Sequence, residues 1–451
     1  MNKRVKPKLL LVEPSRLLPD GEAVRIAREG MRTLTLPYLA GMTPADWEVR
    51  IQVDSLHPVT GNEEADLVAI TVLTQRAPRA YQIAGLFRQR GIKVVLGGAH
   101  VTLCPDEAQR HADAIVIGEG ETVWRQMLAD FAASRLGARY RCDQLHSLRG
   151  LSAPRFDLIT NNNYYTLLRP VQTTRGCPHH CDFCTVTSIY GDSYRHRPVE
   201  EVAEDIRAIR RTSRYVFFVD DNLAADRDYA ARLFEAIIPF DISWSAQLNL
   251  RFAEDENLLR LAVRSGFQMA VCGIENVSPE NLASVRKEHV NRPERYGELI
   301  RRYRKAGVIV LAGMILGFDT DTERAIAENL AFMRTEKIPM ISLYILTPFP
   351  GTPLFQRFAA EGRLLTTDWS RYDSYTCVYR PAQLSPERLT ELYWHACRQI
   401  TTVPAVLRRF TPPPLPRLRT FFPDLIATGL VFTNNLVLFR RDARRGRPPL
   451  V

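Results

Sequence analysis

Hydrophobic and polar positions alternate in two periods along the first 130 residues. Short continuous apolar runs, typical of strands buried on both faces, are separated by stretches with helical spacing. The sequence predicts a helix over residues 77–90 and five strands: Lys8–Val12, Glu48–Val53, Asp66–Val72, Lys93–Leu96 and Ala114–Ile117. This pattern predicts an α/β domain of the Rossmann-like, flavodoxin type, in which ligands bind beyond the carboxyl ends of parallel strands.

A second alternating series begins after residue 165. Its predicted strands are Val171–Thr174, Tyr215–Val219, Ser243–Gln247, Met269–Ile274, Ile309–Gly313 and Ile341–Leu346. Six strand–helix repeats predict a partial (β/α)6 TIM barrel with its chemistry at the carboxyl ends of the strands. We therefore expect a Rossmann-like domain over 1–140, a linker over 141–165, the barrel over 166–380 and a mostly helical C-terminal extension over 381–451.

Composition is that of an ordinary globular protein, with 45% hydrophobic residues among 451. No uninterrupted apolar stretch reaches the roughly 18 residues of a spanning helix, because Phe421–Phe439 is broken by Pro423 and Asp424. We expect a cytoplasmic protein without a transmembrane segment, and a packed segment over 421–439. In a reducing compartment the eight cysteines favour clusters or metals over disulfides.

The formal charge of +10 is spread along the chain, except for an arginine-rich tail. That tail contains Arg440, Arg441, Arg444, Arg445 and Arg447. Dispersed charge is typical of solvated surface and argues against a nucleic-acid partner. A weak peripheral membrane contact of the tail remains open, as does a cluster-bearing protein that binds RNA or a membrane surface.

The most specific motif is Cys177, Cys181 and Cys184, with the spacing Cys-x3-Cys-x2-Cys. Three thiolates this close in sequence can bind three irons of a [4Fe–4S] cluster and leave the fourth iron open. One alternative is a zinc site completed by His179 or His180, and another is three unrelated cysteines.

This motif resembles the signature of the radical S-adenosylmethionine (SAM) superfamily, Cys-x3-Cys-x-aromatic-Cys, with Phe183 as the aromatic residue. The chain is most similar to the branch in which a cobalamin (B12)-binding-type domain precedes the barrel. The resemblance implies that the open iron binds the amine and carboxylate of SAM. Reductive cleavage of SAM then gives a 5′-deoxyadenosyl radical, with a flavodoxin- or ferredoxin-type protein as electron donor.

The resemblance also implies a set of SAM-binding residues at the ends of the barrel strands. Phe183 is expected against adenine, the acceptors after the second strand at the methionyl amine, and the polar residues after the third strand at the ribose and the methionyl carboxylate. Glu275 meets either a ribose hydroxyl or a neighbouring arginine, and a helix N-cap cluster is the alternative for the acceptors. The set comprises Phe183, Asp220, Asp221, Asn222, Gln247, Asn249, Arg251, Glu275 and, in a segment packing on adenine, Gly317.

In the first domain, three predicted strand-end loops are similar to those of cobalamin-type domains. They contain Thr71 and Thr74, then Gly97, Gly98 and His100, then Gly118 and Glu119. The chain lacks the Asp-x-His-x-x-Gly motif that supplies a histidine ligand to cobalt. Two alternatives stay open: the loops bind cobalamin, or their glycines only make tight turns in a domain that has lost the cofactor.

The leading hypothesis implied by the resemblance is a cobalamin-dependent methyltransferase acting on an unactivated carbon of a small-molecule intermediate, such as a secondary metabolite, tetrapyrrole or lipid. The alternative within the superfamily is a cobalamin-independent enzyme, for example a diol dehydratase on an aminoglycoside sugar. Asp319, Asp321 and Glu323 are candidates for binding the ammonium groups of such a sugar.

Overall fold

The computed structural model describes residues 6–18, 20–26, 33–142, 145–160 and 168–409. The chain divides into two compact units. The first contains residues 1–164 together with 188–190 and 368–372, and the second contains the remainder. Among the described residues, no helix is both long and apolar enough to cross a membrane.

The first unit is built around a parallel sheet in the order β2-β1-β3-β4-β5-β6. Its strands are β1 (Lys8–Glu13), β2 (Glu48–Val53), β3 (Leu67–Thr71), β4 (Lys93–Gly97), β5 (Ala114–Ile117) and β6 (Arg139–Arg141). Its helices are α1 (Thr35–Met42), α2 (Ala77–Gln89), α3 (Ala99–Leu103), α4 (Pro105–Gln109) and α5 (Trp124–Ala132). Short 3-10 helices cover Thr74–Arg76, Gly120–Thr122, Phe156–Leu158 and Trp369–Arg371.

The strand order of this sheet is that of flavodoxin-type folds, so the predicted class of the first domain is confirmed. Leu10 and Leu11 on β1 are almost wholly buried, as expected for a central strand covered on both faces. The edge strand β6 was not predicted, and it crosses the boundary expected between the first domain and the linker. Only Tyr140 of its three residues is buried, so its sequence lacks the apolar run that marks the other strands.

The second unit contains a six-stranded parallel sheet in the order β14-β13-β12-β11-β10-β7, which is the predicted partial barrel. Its strands are β7 (Arg169–Val171), β10 (Tyr215–Phe218), β11 (Ser243–Gln247), β12 (Phe267–Glu275), β13 (Ile309–Leu316) and β14 (Met340–Ile345), and an antiparallel hairpin is formed by β8 (Thr174–Gly176) and β9 (Tyr194–His196). The helices are α6 (Thr185–Tyr190), α7 (Val199–Arg210), α8 (Arg227–Ile237), α9 (Glu256–Arg264), α10 (Pro279–Ala283), α11 (Pro293–Lys305), α12 (Glu323–Thr335), α13 (Pro353–Ala360), α14 (Pro386–Ile400) and α15 (Val403–Arg409), with 3-10 helices at Ile238–Phe240 and Leu250–Glu254.

The first barrel strand ends earlier than predicted. The strand predicted over 171–174 is observed as β7, and Thr174 belongs instead to the β8–β9 hairpin. The carboxylate of Asp220, after β10, accepts hydrogen bonds from the backbone N–H groups of Thr173 and Thr174. Because these two N–H groups donate to a side chain, they are not available for hydrogen bonds to a neighbouring strand. The chain therefore leaves the sheet here and continues toward the cysteine motif.

The helical prediction for the start of the C-terminal extension is confirmed by α14. The segment over 421–439 and the arginine-rich tail lie outside the described residues.

Candidate active site

The three motif cysteines occupy the loop between β8 and α6 in the second unit. All three are free thiols, and the backbone N–H of Cys184 donates to the carbonyl of Cys181 at 3.0 Å. Burial raises the pKa of each thiol, that of Cys184 to about 12. The Cys177 sulfur accepts hydrogen bonds from the backbone N–H of His179 and from the side chain of Asn222. Burial therefore opposes the thiolate form, and a bound metal would supply the positive charge that favours thiolates.

The spacing of ligand atoms distinguishes a cluster from a single zinc ion. Tetrahedral zinc bound by sulfur keeps its ligand atoms about 4 Å apart. Among the described residues, three or more His, Cys, Asp or Glu ligand atoms lie within 4.8 Å of one another only at His100, Cys104 and Glu107, so the sulfur atoms of the motif cysteines are spread more widely than that. Three thiols on a loop, spread more widely than one ion requires, fit an inorganic cluster and count against the zinc alternative.

Asp182 anchors the cysteine loop from within. Its backbone N–H donates to the carbonyl of Val285 at 3.0 Å, and its carbonyl accepts from the N–H of Leu354 at 3.0 Å. Its carboxylate pairs with Arg286 at 2.8 Å and with Arg357 at 3.6 Å. The loop is therefore tied to the segments after β12 and β14 through contacts that do not use the thiols.

Of the three predicted acceptors after β10, two are already engaged inside the protein. Asp220 is wholly buried and also accepts from the hydroxyls of Thr173 and Thr174 at 3.1 Å. Burial raises its pKa to about 7, although these hydrogen bonds lower it. Asp221 accepts from the backbone N–H of Gly176 at 3.1 Å, and burial raises its pKa as well.

Asn222 is the acceptor that remains available. It is 4% exposed, and its Oδ1 has no hydrogen-bond partner in the described part of the chain. The N-cap alternative is not observed, since the next helix begins at Arg227 and is capped by Asp226. A buried, unsatisfied amide oxygen beside Cys177 suits an ammonium donor such as the methionyl amine of SAM.

The polar residues at the end of β11 and after it differ in their exposure and in their partners. Gln247 ends the strand with an exposed side chain, and Asn249 directly precedes the following 3-10 helix. Arg251 pairs with Glu254 at 3.1 Å and donates to the carbonyl of His289 at 3.2 Å. The arginine expected to bind a carboxylate therefore already has a protein carboxylate as its partner.

Glu275 ends β12 and pairs with a lysine, where the sequence suggested a ribose or an arginine. Its Oε1 lies 3.3 Å from the Nζ of Lys287. Burial lowers the pKa of Lys287, but the charges of Glu275, Cys181 and Cys184 together raise it above its usual value. The ammonium also lies 5.7 Å from the ring centroid of Phe183, which packs on the hydrophobic core. Lys287 was missed because a lone lysine in a loop carries no motif.

Gly317 faces protein and not an open cavity. It has a φ of 99°, and a Cβ there would lie 2.4 Å from the hydroxyl of Tyr379. The three acidic residues that follow are engaged as well: Asp319 pairs with Arg363, Asp321 accepts from the backbone of Gly317 at 2.8 Å, and Glu323 pairs with Arg388 at 2.7 Å. No carboxylate of this segment is left to bind a sugar ammonium group.

In the first unit, the carboxyl ends of β3, β4 and β5 bring the predicted loops together. Thr71 and Gly97 are register partners, and the backbone N–H of Gly118 donates to the hydroxyl of Thr102 on α3 at 3.0 Å. Thr71, Gly97, Gly98 and Gly118 are all partly exposed. Leu73, which sequence reasoning missed, is 44% exposed beside them. Backbone, one hydroxyl and one apolar side chain form an edge that fits a flat macrocycle.

The other predicted residues of this unit are turned inward. Thr74 is buried, and Glu119 is buried with its carboxylate accepting from the N–H of His146 at 3.1 Å. His100 is fully buried, with its Nε2 lying 3.2 Å from the Tyr81 hydroxyl.

His100 belongs to a polar cluster that the sequence did not reveal. His100, Cys104 and Glu107 have ligand atoms within 4.8 Å of one another. The indole N–H of Trp369 donates to both oxygens of Glu107, at 2.8 and 2.9 Å, and the Trp369 ring packs on His100 with centroids 5.4 Å apart. Burial raises the pKa of Glu107, but hydrogen bonds from His100, Trp369 and Tyr81 lower it overall. The cluster stabilises the segment that carries Trp369.

Two family models match successive parts of the chain. A model of the radical SAM superfamily matches residues 171–333, and a model of the B12 binding domain matches residues 30–128. Bacteriochlorophyllide d C-12(1)-methyltransferase of Chlorobaculum tepidum is 30% identical over 357 residues, covering 78% of each chain. The chain belongs to the radical SAM superfamily. Within it, the protein falls in the branch whose barrel follows a B12-binding domain, as the cysteine motif and the domain order predicted.

A further relative and a solved structure are similar to this radical SAM protein over most of its length. Hopanoid C-2 methylase of Rhodopseudomonas palustris is 27% identical over 74% of the chain and 65% of its own length. The structure of the radical SAM methyltransferase TsrM from Kitasatospora setae, with cobalamin and a [4Fe–4S] cluster bound, aligns over 98% of the chain and all of its own, with a TM-score of 0.70 and 16% identity. The fold prediction is thereby confirmed.

Membership makes the protein an enzyme and implies a [4Fe–4S] cluster and SAM as its cofactors. The B12-binding domain supports cobalamin as a further cofactor. Cys177, Cys181 and Cys184 would hold the cluster, and the unpaired Oδ1 of Asn222 would receive the SAM amine. The exposed edge of β3, β4 and β5 would hold the corrin.

Proposed function

We propose that this radical SAM enzyme is a cobalamin-dependent methyltransferase acting on an unactivated carbon of a small-molecule intermediate of the tetrapyrrole or lipid class. The observation that carries the proposal is the presence in one chain of a complete cysteine loop and a flavodoxin-type sheet matched by the B12-binding domain. The chain's relatives include a bacteriochlorophyllide methyltransferase and a hopanoid methylase.

When bound, the cofactors would relay the electron of an external donor, generate the radical and carry the methyl group, while the protein binds and orients the reactants. Asn222 accepts a hydrogen bond from the amine of SAM, and Phe183 contributes an aromatic face close to the cysteine loop. The Thr71 hydroxyl and the backbone of Gly97, Gly98 and Gly118 contact the corrin. Because His100 is wholly buried against Tyr81 and Trp369, we propose no cobalt ligand from it.

An aromatic pair in the barrel supports a flat, largely apolar substrate. Tyr344 on β14 stacks on Tyr375, with ring centroids 6.2 Å apart. Burial raises the pKa of Tyr344, and the nearby Glu275 carboxylate raises it further. Tyr344 and Glu275 are therefore within electrostatic range of each other. Stacked rings favour a planar partner over a polyhydroxylated sugar.

The deciding experiment uses the full chain, purified without oxygen and analysed for iron, sulfide and corrin. It is then incubated with SAM, a one-electron reductant and tetrapyrrole or polycyclic lipid candidates. We expect a methylated product accompanied by both S-adenosylhomocysteine and 5′-deoxyadenosine. A Cys181→Ala variant is the matched blank. 5′-Deoxyadenosine accompanied by an unmethylated, dehydrated product would support the diol dehydratase alternative instead.

A further inference from the structure

The Lys287–Glu275 ion pair lies beside the cysteine loop in a largely buried position. The side chains of Lys287 and Glu275 are 16% and 10% exposed. Glu275 is the only carboxylate recorded within 4.0 Å of the Lys287 ammonium among the described residues. The Lys287 Nζ lies 5.7 Å from the ring centroid of Phe183, which stands between Cys181 and Cys184 in the loop, so the ion pair and the sulfur ligands share one electrostatic environment.

The backbone around Glu275 is shaped to place its carboxylate there. Glu275 has a φ of 63°, in the left-handed region that non-glycine residues seldom adopt, and the register of β12 shifts between Gly273 and Glu275. A Cβ on Gly273 would lie 2.2 Å from the Glu275 Oε1, so the carboxylate folds back over Gly273 and would have to shift if that residue carried a side chain. The Asn291 amide holds the turn by donating to the carbonyls of Gly273 and Ile274 at 2.9 and 2.8 Å.

Such a conformation is energetically unfavourable and persists only where the surroundings enforce it. The strained turn places the negative Glu275 carboxylate near a cluster that already carries negative thiolates. The ammonium group of Lys287, which pairs with this carboxylate, compensates the negative charge. A cluster bound by three thiolates gains one electron on reduction, so a nearby cation favours the reduced state and a nearby anion opposes it.

We propose that Lys287 and Glu275 are positioning residues whose opposed charges set the reduction potential of the cluster held by Cys177, Cys181 and Cys184. The ammonium raises the potential and the carboxylate lowers it. The electron comes from an external one-electron donor, and no bond to either residue forms or breaks. The proposal rests on the cluster alone, so it does not require the reaction to be methyl transfer.

The test is a potentiometric titration of the reconstituted full-length protein with dithionite, followed by electron paramagnetic resonance, without SAM or substrate. Lys287→Met leaves the carboxylate unopposed, and we expect a lower midpoint potential. Glu275→Gln leaves the ammonium unopposed, and we expect a higher one. A tenfold change in the reduction equilibrium in either direction corresponds to about 59 mV for one electron. The double variant should return toward the wild-type potential.

Lys287→Arg keeps the charge and should stay near wild type, even if Lys287→Met binds its cluster poorly. Lys305→Met makes the same substitution at an exposed lysine at the end of α11 and should leave the potential unchanged. Shifts of the same sign in Lys287→Met and Glu275→Gln, or no shift in either at wild-type iron content, would overturn the proposal. Because the potential is read without turnover, failure to find methyl transfer leaves this result standing.

Discussion

The cysteine loop of the second unit and the sheet edge of the first differ in what they are made of. Around Cys177, Cys181 and Cys184, buried side chains converge, several with shifted pKa values and one with an unpaired acceptor. At the carboxyl edge of β3, β4 and β5, polar side chains such as His100 and Glu119 turn inward, leaving backbone and Leu73 outside. A small inorganic cluster needs donor atoms at fixed points, whereas a macrocycle needs an accessible surface.

The largest effect is expected from removing one of the three cysteines of the cluster loop. Cys181→Ala should reduce iron from about four per chain to below one and abolish 5′-deoxyadenosine formation, because a cubane left with two protein ligands is not retained. Corrin retention by the first unit should persist. Iron and corrin analysis of the same sample checks both. The control is Cys142→Ala, a partly exposed cysteine of the first unit, and iron loss there would contradict the assignment.

The second prediction separates a structural glycine from a cofactor-binding one. Gly317→Ala should lower the free energy of unfolding by about 3 kcal/mol, since the new Cβ meets Tyr379 and the φ is unfavourable for alanine. Thermal unfolding measures this change. Gly85→Ala, in α2 with open space around it, is the control and should be neutral or stabilising. A stable Gly317→Ala protein with weakened SAM binding would instead support the adenine contact.

The third prediction tests the surface site. Leu73→Glu should reduce corrin retention about tenfold at unchanged iron content, because burying a leucine against a ligand contributes about 1.5–3 kcal/mol. The corrin absorbance after gel filtration reports the occupancy. Leu365→Glu alters an exposed leucine of the second unit and should leave corrin unaffected. Equal losses in both variants would show a general effect of added charge.

The smallest expected effect concerns the inward-facing polar cluster. Trp369→Phe removes one N–H donor to Glu107 and should cost about 1 kcal/mol near neutral pH, since the carboxylate keeps other donors. Because the folded state lowers the pKa of Glu107, its stabilisation is present above the ordinary value of about 4.3 and is lost as the pH falls through the folded value. The difference between wild type and variant should therefore shrink below about pH 4. Denaturant unfolding at several pH values measures it, with a pH-independent difference as the contrary result.

The two regions also differ in how far the sequence could predict them. Apolar runs located the strands because a strand buried on both faces must be apolar, and the cysteine spacing identified the cluster loop directly. Strand β6 was missed because two of its three residues are exposed. Lys287, Trp369 and the inward orientation of His100 depend on contacts between residues far apart in sequence, which spacing within a motif does not encode.

The same limit explains the acidic residues. One run in the sequence contains Asp220, Asp221 and Asn222. The carboxylates of Asp220 and Asp221 accept hydrogen bonds from the backbone just before the cysteines. Of the three, only Asn222 keeps an unpaired acceptor. Which member of such a run is available depends on where the β7–β8 connection passes, and that path is itself set by Asp220.

The anchoring of Asp182 has a consequence for exposure to oxygen. Its bonds to Val285, Leu354, Arg286 and Arg357 hold the cysteine loop without help from the sulfur atoms. Oxidative loss of the inorganic core should therefore leave an empty but preformed cradle in a folded chain. A cell's iron–sulfur repair machinery could then refill the enzyme without having to refold it.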